Sequence, residues 1–207
     1  MRRLFASLLC AVALQAGCSE ALTWRAVNHM IAADYPDVTA LTTDSLAAQL
    51  ADSTSPTPVL LDARSPDEYA VSHLRGARRV NPSADAYPAL DTLASDAPIV
   101  VYCSVGYRSA GVVQALQTQG FSRVYNLKGS IFRWANEGRP VYRNGEPVSA
   151  VHPYDASCGQ FLTDSLRASP SPESLYAPRC EHRPVPAPPP CSQSLPLSLS
   201  RVRPHRH

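Results

Sequence analysis

Residues 99–109 read IVVYCSVGYRS, and this stretch carries the strongest indication of the fold. Its first four residues are apolar, which is typical of a strand buried on both faces of a parallel sheet. A helical pattern follows over residues 109–119 and ends before Gly120. The stretch therefore predicts a strand, a short turn that contains Gly106, and a helix.

A cysteine stands at the point where the predicted strand ends. Backbone N–H groups of a turn between a strand and a helix can converge on one point, and the helix N-terminus adds a partial charge of about +0.5. Both effects lower the pKa of a thiol at this position and favour the reactive thiolate. Gly106 lets the turn close tightly because it has no Cβ. These features predict a nucleophile at Cys103.

Apolar runs and helical patterns alternate through the middle of the chain. Runs at residues 59–61, 99–102 and 124–125 predict strands, and patterns at residues 43–50, 109–119 and 130–137 predict helices. This alternation is typical of an α/β fold, a parallel sheet flanked by helices, and the length suits a single domain. Helical spacing also predicts a leading helix that packs against this domain through Trp24, Val27, Met30 and Ile31.

Several short motifs between residues 43 and 143 resemble the rhodanese family and occur in the family's order. The first part carries LLDAR at 60–64, EY at 68–69 and SHLRGA at 72–77. CSVGYRS at 103–109 resembles the family's active loop, C-x-x-G-x-R-S. The closing part carries LKGSI at 127–131, Trp134 and GRPV at 138–141. Ser72 and Ser130 stand where the family has glycine.

The resemblance implies a rhodanese-like domain over residues 43–143 with sulfurtransferase activity. It implies that Cys103 is the catalytic nucleophile and forms a persulfide. The loop that surrounds this sulfur and binds the substrate is then formed by Ser104, Val105, Gly106, Tyr107 and Arg108. The implied substrates are a small sulfur donor, such as thiosulfate, mercaptopyruvate or a persulfide, and a thiol or cyanide-like acceptor. The family chemistry needs no cofactor and no metal.

Four further residues match recurring family positions, and we interpret them as structural: Asp62, Arg64, Glu68 and His73. Acidic and basic side chains near a strand end usually orient loops through hydrogen bonds, and a histidine is more often a packing residue than a proton shuttle. Arg108 has two interpretations, contact with the donor anion or a place in the first turn of the helix. His152 lies beyond the closing motif and is not expected to act as a base for Cys103.

Two other functions are compatible with this type of loop. Phosphatases of related fold place five residues between cysteine and arginine, whereas four residues separate Cys103 from Arg108, which favours a cradle for a single sulfur. A non-catalytic sulfur carrier, redox sensor or partner-binding module would keep the thiol without efficient turnover. The intact cysteine favours the transferase.

Charge and cysteine spacing exclude two classes of partner. Residues 19–167 contain 12 basic and 15 acidic side chains, so this part lacks the positive surface that binding of nucleic acid requires. The six cysteines show no C-x-x-C spacing, so a zinc site is not predicted. Three of them are candidates for a disulfide in an oxidising compartment, with the pairing open: Cys158, Cys180 and Cys191.

The two ends of the chain differ from the middle in composition. Residues 1–21 have a positive start and an uncharged apolar stretch, which predicts a signal peptide and a periplasmic or otherwise exported protein. The sequence before Cys18 resembles a lipobox, so the alternative is a membrane-anchored lipoprotein. Residues 22–42 form the leading helical segment, and residues 144–167 form a short extension. Residues 168–207 hold 10 of the 20 prolines, which predicts a disordered tail.

Overall fold

The computed structural model describes residues 24–84 and 86–169. The chain divides into two units, Met1–Ser169 and Pro170–His207. The second unit lies outside the described residues, and so do the predicted signal peptide with Cys18 and the candidate disulfide residues Cys180 and Cys191. Within the described ranges, no helix combines the length and the apolar character that crossing a bilayer requires.

The central sheet is parallel and has five strands: β1 (Ala40–Leu41), β2 (Val59–Asp62), β3 (Arg78–Arg79), β4 (Ile99–Tyr102) and β5 (Val124–Leu127). They lie side by side in the order β1-β5-β4-β2-β3. An antiparallel hairpin follows, formed by β6 (Val141–Arg143) and β7 (Glu146–Val148). The three apolar runs are confirmed as the central strands β2, β4 and β5, and the predicted α/β arrangement is confirmed with them.

Helices pack against the sheet: α1 (24–34), α2 (Thr43–Ala51), α3 (Pro66–Val71), α4 (Tyr107–Thr118) and α5 (Ser130–Asn136). The three predicted helices are confirmed as α2, α4 and α5 to within two residues at each end. Helix α3 begins with a capping box, in which Ser65 Oγ accepts the Glu68 N–H and Glu68 Oε2 accepts the Ser65 N–H. Glu68 is thereby fixed at the start of this short helix.

The leading helix α1 packs against the domain, but not through all four residues that its pattern suggests. Trp24 is 7% exposed, and Val27 and Ile31 are half-buried. Met30 is 46% exposed, so the prediction of a packing position for Met30 is wrong. At 100° per residue, Met30 is turned by about 100° from Ile31, which carries its side chain off the contacting face.

Strand β4 aims its side chains alternately into two apolar clusters. Val100 and Tyr102 belong to one cluster, whereas Ile99, Val101 and Cys103 belong to the other, together with residues of α4. Successive side chains of a strand point to opposite faces of the sheet. Cys103 continues this alternation immediately after β4, so its side chain lies at the carboxyl edge of the sheet on the side covered by α4.

The segment after the hairpin is an integral part of the fold. Val151 and Leu162 are fully buried in the cluster that also contains Trp134. The Val151 N–H donates to Leu166 O (2.7 Å), and the Ala168 N–H donates to Val151 O (2.9 Å). The hydrogen-bonded segment therefore includes Ala168, which the sequence analysis assigns to the tail.

Candidate active site

Cys103 is buried, with 2% of its surface exposed, in the turn between β4 and α4. Its Sγ accepts the Gly106 N–H at 3.2 Å. The Ser109 hydroxyl, in the first turn of α4, lies 3.5 Å from the same sulfur. The turn and the helix start thus direct hydrogen-bond donors at one sulfur atom.

Gly106 allows this turn to close. Its φ of +115° lies in the region that side chains rarely adopt, and the residue caps the N-terminus of α4. A Cβ built at this position would lie 3.3 Å from Ile31 Cδ1 and 3.7 Å from Leu127 O. The backbone conformation therefore favours glycine, and a side chain at this position would also press on Ile31.

The environment of Cys103 favours the thiolate. Burial raises the pKa of the Cys103 thiol, but the positive charge of Arg108 and the hydrogen bonds from Ser109 and Gly106 lower it by more. The pKa consequently lies below its usual value. Because the thiolate is the nucleophilic form of cysteine, the turn increases the fraction of Cys103 that can react near neutral pH.

Glu68, interpreted from the sequence as structural, is the anion that Arg108 contacts. Arg108 Nη1 donates to Glu68 Oε2 (2.8 Å), and Arg108 Nη2 donates to Glu68 Oε1 (2.7 Å) and to Ser104 Oγ (2.9 Å). The Ser104 hydroxyl donates to Glu68 Oε1 (2.8 Å). Burial raises the pKa of Glu68, but the bonds from Arg108, Ser65 and Ser104 outweigh it and hold the pKa at about 2. Glu68 is therefore a charged anchor for both ends of the loop.

The start of α5 forms hydrogen bonds with the backbone of the loop. Ser130 Oγ accepts the Cys103 N–H (3.1 Å), and the first N–H groups of α5 donate to the carbonyls of Cys103 and Ser104 (3.2 Å each). Ser130 has a φ of +51°, a conformation that glycine adopts more readily than serine. Ser72, the other serine in place of glycine, has extended backbone that any residue adopts. The hydroxyl of Ser130 thus accepts a hydrogen bond from the Cys103 N–H that glycine, which has no side chain, could not accept.

A second polar contact links α4 to β5 beside the cysteine. The Ser109 hydroxyl donates to Asn126 Oδ1 (2.7 Å), and Asn126 Nδ2 donates to Gly106 O (2.9 Å). A hydroxyl has one hydrogen, so Ser109 can donate to the sulfur or to the amide at one time. Sequence reasoning treated Ser109 as a helix residue and missed Asn126, because an apolar strand pattern gives no signal for one buried amide.

Two segments outside the motif region also contact the loop. From α1, Asp34 Oδ2 accepts the Tyr107 hydroxyl (2.8 Å), and the next residue, Tyr35, packs its ring edge-on against Tyr107 at 5.5 Å. From the segment after the hairpin, the Tyr154 ring covers the Arg108 guanidinium at 4.7 Å. Nothing in the local sequence pairs these residues with the loop, so they were not predicted.

The remaining residues noted in the sequence have other partners. Asp62 and Arg64 form a buried ion pair (2.6 Å), and Arg64 also donates a hydrogen bond to the Ser72 carbonyl.

The histidines and Val105 also have partners within the fold. His73 stacks on Tyr69 with ring centroids 4.0 Å apart. His152 accepts the Tyr154 N–H at Nδ1 (3.0 Å). Val105 is half-buried against the cluster that contains Tyr102. These contacts orient the backbone around the site.

Comparison with known proteins supplies independent information. Residues 42–137 match the family model described as Rhodanese-like domain. A sulfurtransferase of Allochromatium vinosum is 33% identical over 104 residues, which cover 50% of this chain and 94% of that protein. An uncharacterised Bacillus subtilis protein, YqhL, is 32% identical over 78 residues, and the match covers 38% of this chain and 61% of that protein, less than two thirds of its length. A solved Bacillus halodurans structure, 17% identical, covers 66% of this chain and 96% of that chain with a TM-score of 0.50, which is a likeness of fold alone.

Proposed function

The chain belongs to the family of rhodanese-like domains, and from this premise we propose that it is a sulfurtransferase in which Cys103 carries the transferred sulfur as a persulfide. The observation that carries the proposal is the hydrogen bond from the Gly106 N–H to Cys103 Sγ, with the Ser109 hydroxyl 3.5 Å from the same sulfur. Hydrogen-bond donors and a nearby guanidinium stabilise a sulfur anion, and both the thiolate and the persulfide are sulfur anions.

The reaction has two steps. In the first, the Cys103 thiolate attacks the outer sulfur of the donor, a new S–S bond forms, and the donor's bond to that sulfur breaks. The leaving group, which is sulfite when thiosulfate is the donor, departs with the electron pair. In the second, a nucleophilic acceptor takes the outer sulfur of the persulfide and Cys103 leaves as a thiolate. Cyanide as acceptor gives thiocyanate. Charge and atoms balance in both steps, so no external oxidant is needed.

Two observations bear on the alternatives. Both terminal nitrogens of Arg108 are bonded within the protein, so this arginine is not free to hold a phosphoryl dianion as a phosphatase requires. The burial of Cys103 is the observation in favour of a binding module that is not loaded with sulfur, because a donor has to reach a largely covered sulfur. The experiment below separates the transferase from that module.

The test is to incubate the protein with thiosulfate, mercaptopyruvate or a persulfide donor and to locate added sulfur by peptide mass spectrometry. We expect one extra sulfur, about 32 Da, on the peptide that contains Cys103, released by cyanide or by a thiol reductant. Cys103→Ser should abolish the adduct and keep the fold, because the side chains are similar in size.

The matched control is Cys158→Ser, which removes the other free cysteine of the described residues and should leave the adduct on Cys103. Added sulfur on Cys158 alone would contradict the proposal. So would a Cys103 that accepts no sulfur from any donor while it still reacts with an alkylating reagent, and that result would favour the binding module.

A further inference from the structure

Three tyrosines lie on or against the loop of Cys103, and we call them the aromatic rim: Tyr35, Tyr107 and Tyr154. Tyr107 is the first residue of α4, whereas Tyr35 and Tyr154 lie outside the region that matches the family, residues 42–137. Tyr35 packs edge-on against Tyr107, and Tyr154 covers Arg108. Segments from both sides of the family domain thus contribute ring surface around the loop.

The backbone holds Tyr154 in place at a cost in conformational energy. Its φ of +67° is unusual for a residue other than glycine, and such conformations persist where surrounding contacts fix them. The Tyr154 N–H donates to His152 Nδ1 (3.0 Å), and the Asp155 N–H donates to Pro153 O (3.0 Å). With 49% of its surface exposed, the ring keeps a face or edge available to a ligand.

The charge around the loop is unsuited to a doubly charged anion. Arg108 is the only charged residue in positions 103–108. Glu68 binds both terminal nitrogens of its guanidinium, and Tyr154 covers its face. Asp34 adds a second carboxylate at the hydroxyl of Tyr107. The three side chains sum to one negative charge, before the charge of the Cys103 thiolate is included.

From these contacts we infer that the site takes its sulfur from an organic sulfane donor that carries at most one negative charge and an apolar or aromatic group, in preference to the inorganic dianion thiosulfate. The aromatic rim would contact the organic group, and the N–H groups of the turn would hold the single transferred sulfur. This inference rests on the proposed sulfurtransferase function and specifies its donor.

Thiosulfonates allow the test, because they transfer sulfur by the same chemistry while their charge and organic group change. The Cys103 thiolate attacks the outer sulfur of the donor R–SO₂–S⁻, which forms the S–S bond of the persulfide. The bond between that sulfur and the sulfonyl sulfur breaks, and the sulfinate R–SO₂⁻ leaves with the electron pair. Benzenethiosulfonate and methanethiosulfonate carry one charge, and thiosulfate carries two.

The experiment measures the rate at which the full chain gains sulfur on Cys103, by quenching and mass spectrometry, for the three donors. Each rate constant is divided by that of the same donor with 2-mercaptoethanol, which removes differences in intrinsic reactivity. We expect benzenethiosulfonate to exceed methanethiosulfonate by about fivefold, because of ring contacts. We expect methanethiosulfonate to exceed thiosulfate by about tenfold, because of the extra charge.

Variants of the rim test the role of the ring and of the carboxylate separately. Tyr154→Ala should reduce the preference for the benzene compound over the methane compound, and Tyr154→Phe should retain it. Asp34→Asn should accelerate loading by thiosulfate more than loading by methanethiosulfonate. The matched control is Asp96→Asn, at an exposed site that precedes β4 and so lies at the opposite edge of the sheet.

The salt dependence of loading gives a further test of the charge. Added salt should accelerate the loading of Cys103 by thiosulfate more than loading by the other two donors, since it screens repulsion.

The outcomes distinguish this inference from the function on which it rests. If thiosulfate loads Cys103 as fast as benzenethiosulfonate after normalisation, the inference is overturned and the sulfurtransferase stands. If the order of donors is as expected but Tyr154→Ala leaves it unchanged, the role of the rim is overturned. If none of the donors adds sulfur to Cys103, the proposed function itself fails.

Discussion

Glu68 connects three parts of the molecule through one buried carboxylate. It accepts hydrogen bonds from the N-cap of α3 at Ser65, from the loop at Ser104 and from α4 at Arg108. Its own side chain is almost fully buried, whereas that of Arg108 is partly exposed. A buried charge is stable only when it is paired and hydrogen-bonded, so removal of either partner leaves a costly group behind.

The contribution of the Glu68 carboxylate should be visible in the pH dependence of the free energy of unfolding. The pKa of Glu68 is about 2 in the folded protein, below its usual value of 4.5, so its contribution to the free energy of unfolding is fully present above about pH 4.5 and is lost as the pH falls toward 2. Glu68→Gln should therefore cost on the order of 3 kcal/mol near neutral pH. The difference from the wild type should shrink at about pH 3, because Glu68 then binds a proton in the unfolded wild type while it stays ionised in the folded protein, which favours unfolding.

Urea denaturation of both proteins at the two pH values provides the measurement, with Glu146→Gln as the control at an exposed carboxylate. A destabilisation by Glu68→Gln that is as large at about pH 3 as at neutral pH would show that the anchor does not depend on its charge.

The candidate nucleophile Cys103 follows from the sequence because three local signals coincide there: a buried strand, a glycine turn and a helix start. Its supporting residues could not be predicted in the same way. Asn126 and Ser130 reach the loop from other elements, and each has an ordinary local context as a strand or helix residue. Only the fold brings these polar atoms next to the backbone of residues 103–106.

At the scale of elements, α1 and α5 hold the loop from different sides. Helix α5 donates its first N–H groups to the loop carbonyls, which satisfies donors that a helix start leaves unpaired. Helix α1 reaches the loop at Ile31 and Asp34, and at its other end Trp24 packs edge-on against Phe161 with ring centroids 4.8 Å apart. The packing of Trp24 therefore fixes the helix that carries Asp34.

Two substitutions on α1 should show that an apolar residue of this helix stabilises the protein only where it is buried. Trp24→Ala should destabilise the protein by about 3–5 kcal/mol, because it removes a large side chain that is only 7% exposed. Met30→Ala should change the free energy of unfolding by less than about 0.5 kcal/mol, because Met30 is 46% exposed. Equilibrium denaturation gives both values. Equal effects of the two changes would mean that α1 packs through a different face.

The predictability of the elements follows from their burial and length. The central strands are four residues long and mostly buried, so each appears as an apolar run. The edge strands β1 and β3 have two residues each, and β3 consists of exposed Arg78 and Arg79. Helix α3 has six residues and a polar start, so no helical pattern indicated it. Short, exposed elements take their structure from neighbours and leave no periodic signal.

At the scale of the whole molecule, the family domain is completed by the segments on either side of it. The segment after the hairpin buries Val151 and Leu162 and bonds to α5, where Asn136 Nδ2 donates to Phe161 O (2.7 Å) and Asn136 Oδ1 accepts the Thr163 N–H (2.9 Å). The same segment brings Tyr154 to Arg108. Stability and the surroundings of the Cys103 loop therefore depend on the same stretch of chain.

Two truncations should show where the cooperative unit ends. A chain that stops at Ser169 loses the unit Pro170–His207, which holds half of the prolines and is not expected from its composition to build a core. Its melting temperature and its loading of Cys103 with sulfur should match those of the full chain. A chain that stops at residue 149 also loses Val151 and Leu162, whose burial contributes about 1.5–3 kcal/mol each.

The shorter chain should therefore lose most of its margin of stability, since small domains are stable by only about 5–15 kcal/mol. Calorimetry of both chains provides the measurement, and Val151→Ala in the full chain covers the case in which the shorter chain does not fold. That variant should lower the melting temperature, because Val151 is fully buried. If Val151→Ala melts like the wild type, or if the chain ending at Ser169 melts well below it, then the boundary of the cooperative unit lies elsewhere. The Tyr154 segment would then have to be held at the loop by contacts other than the core that it shares with α5.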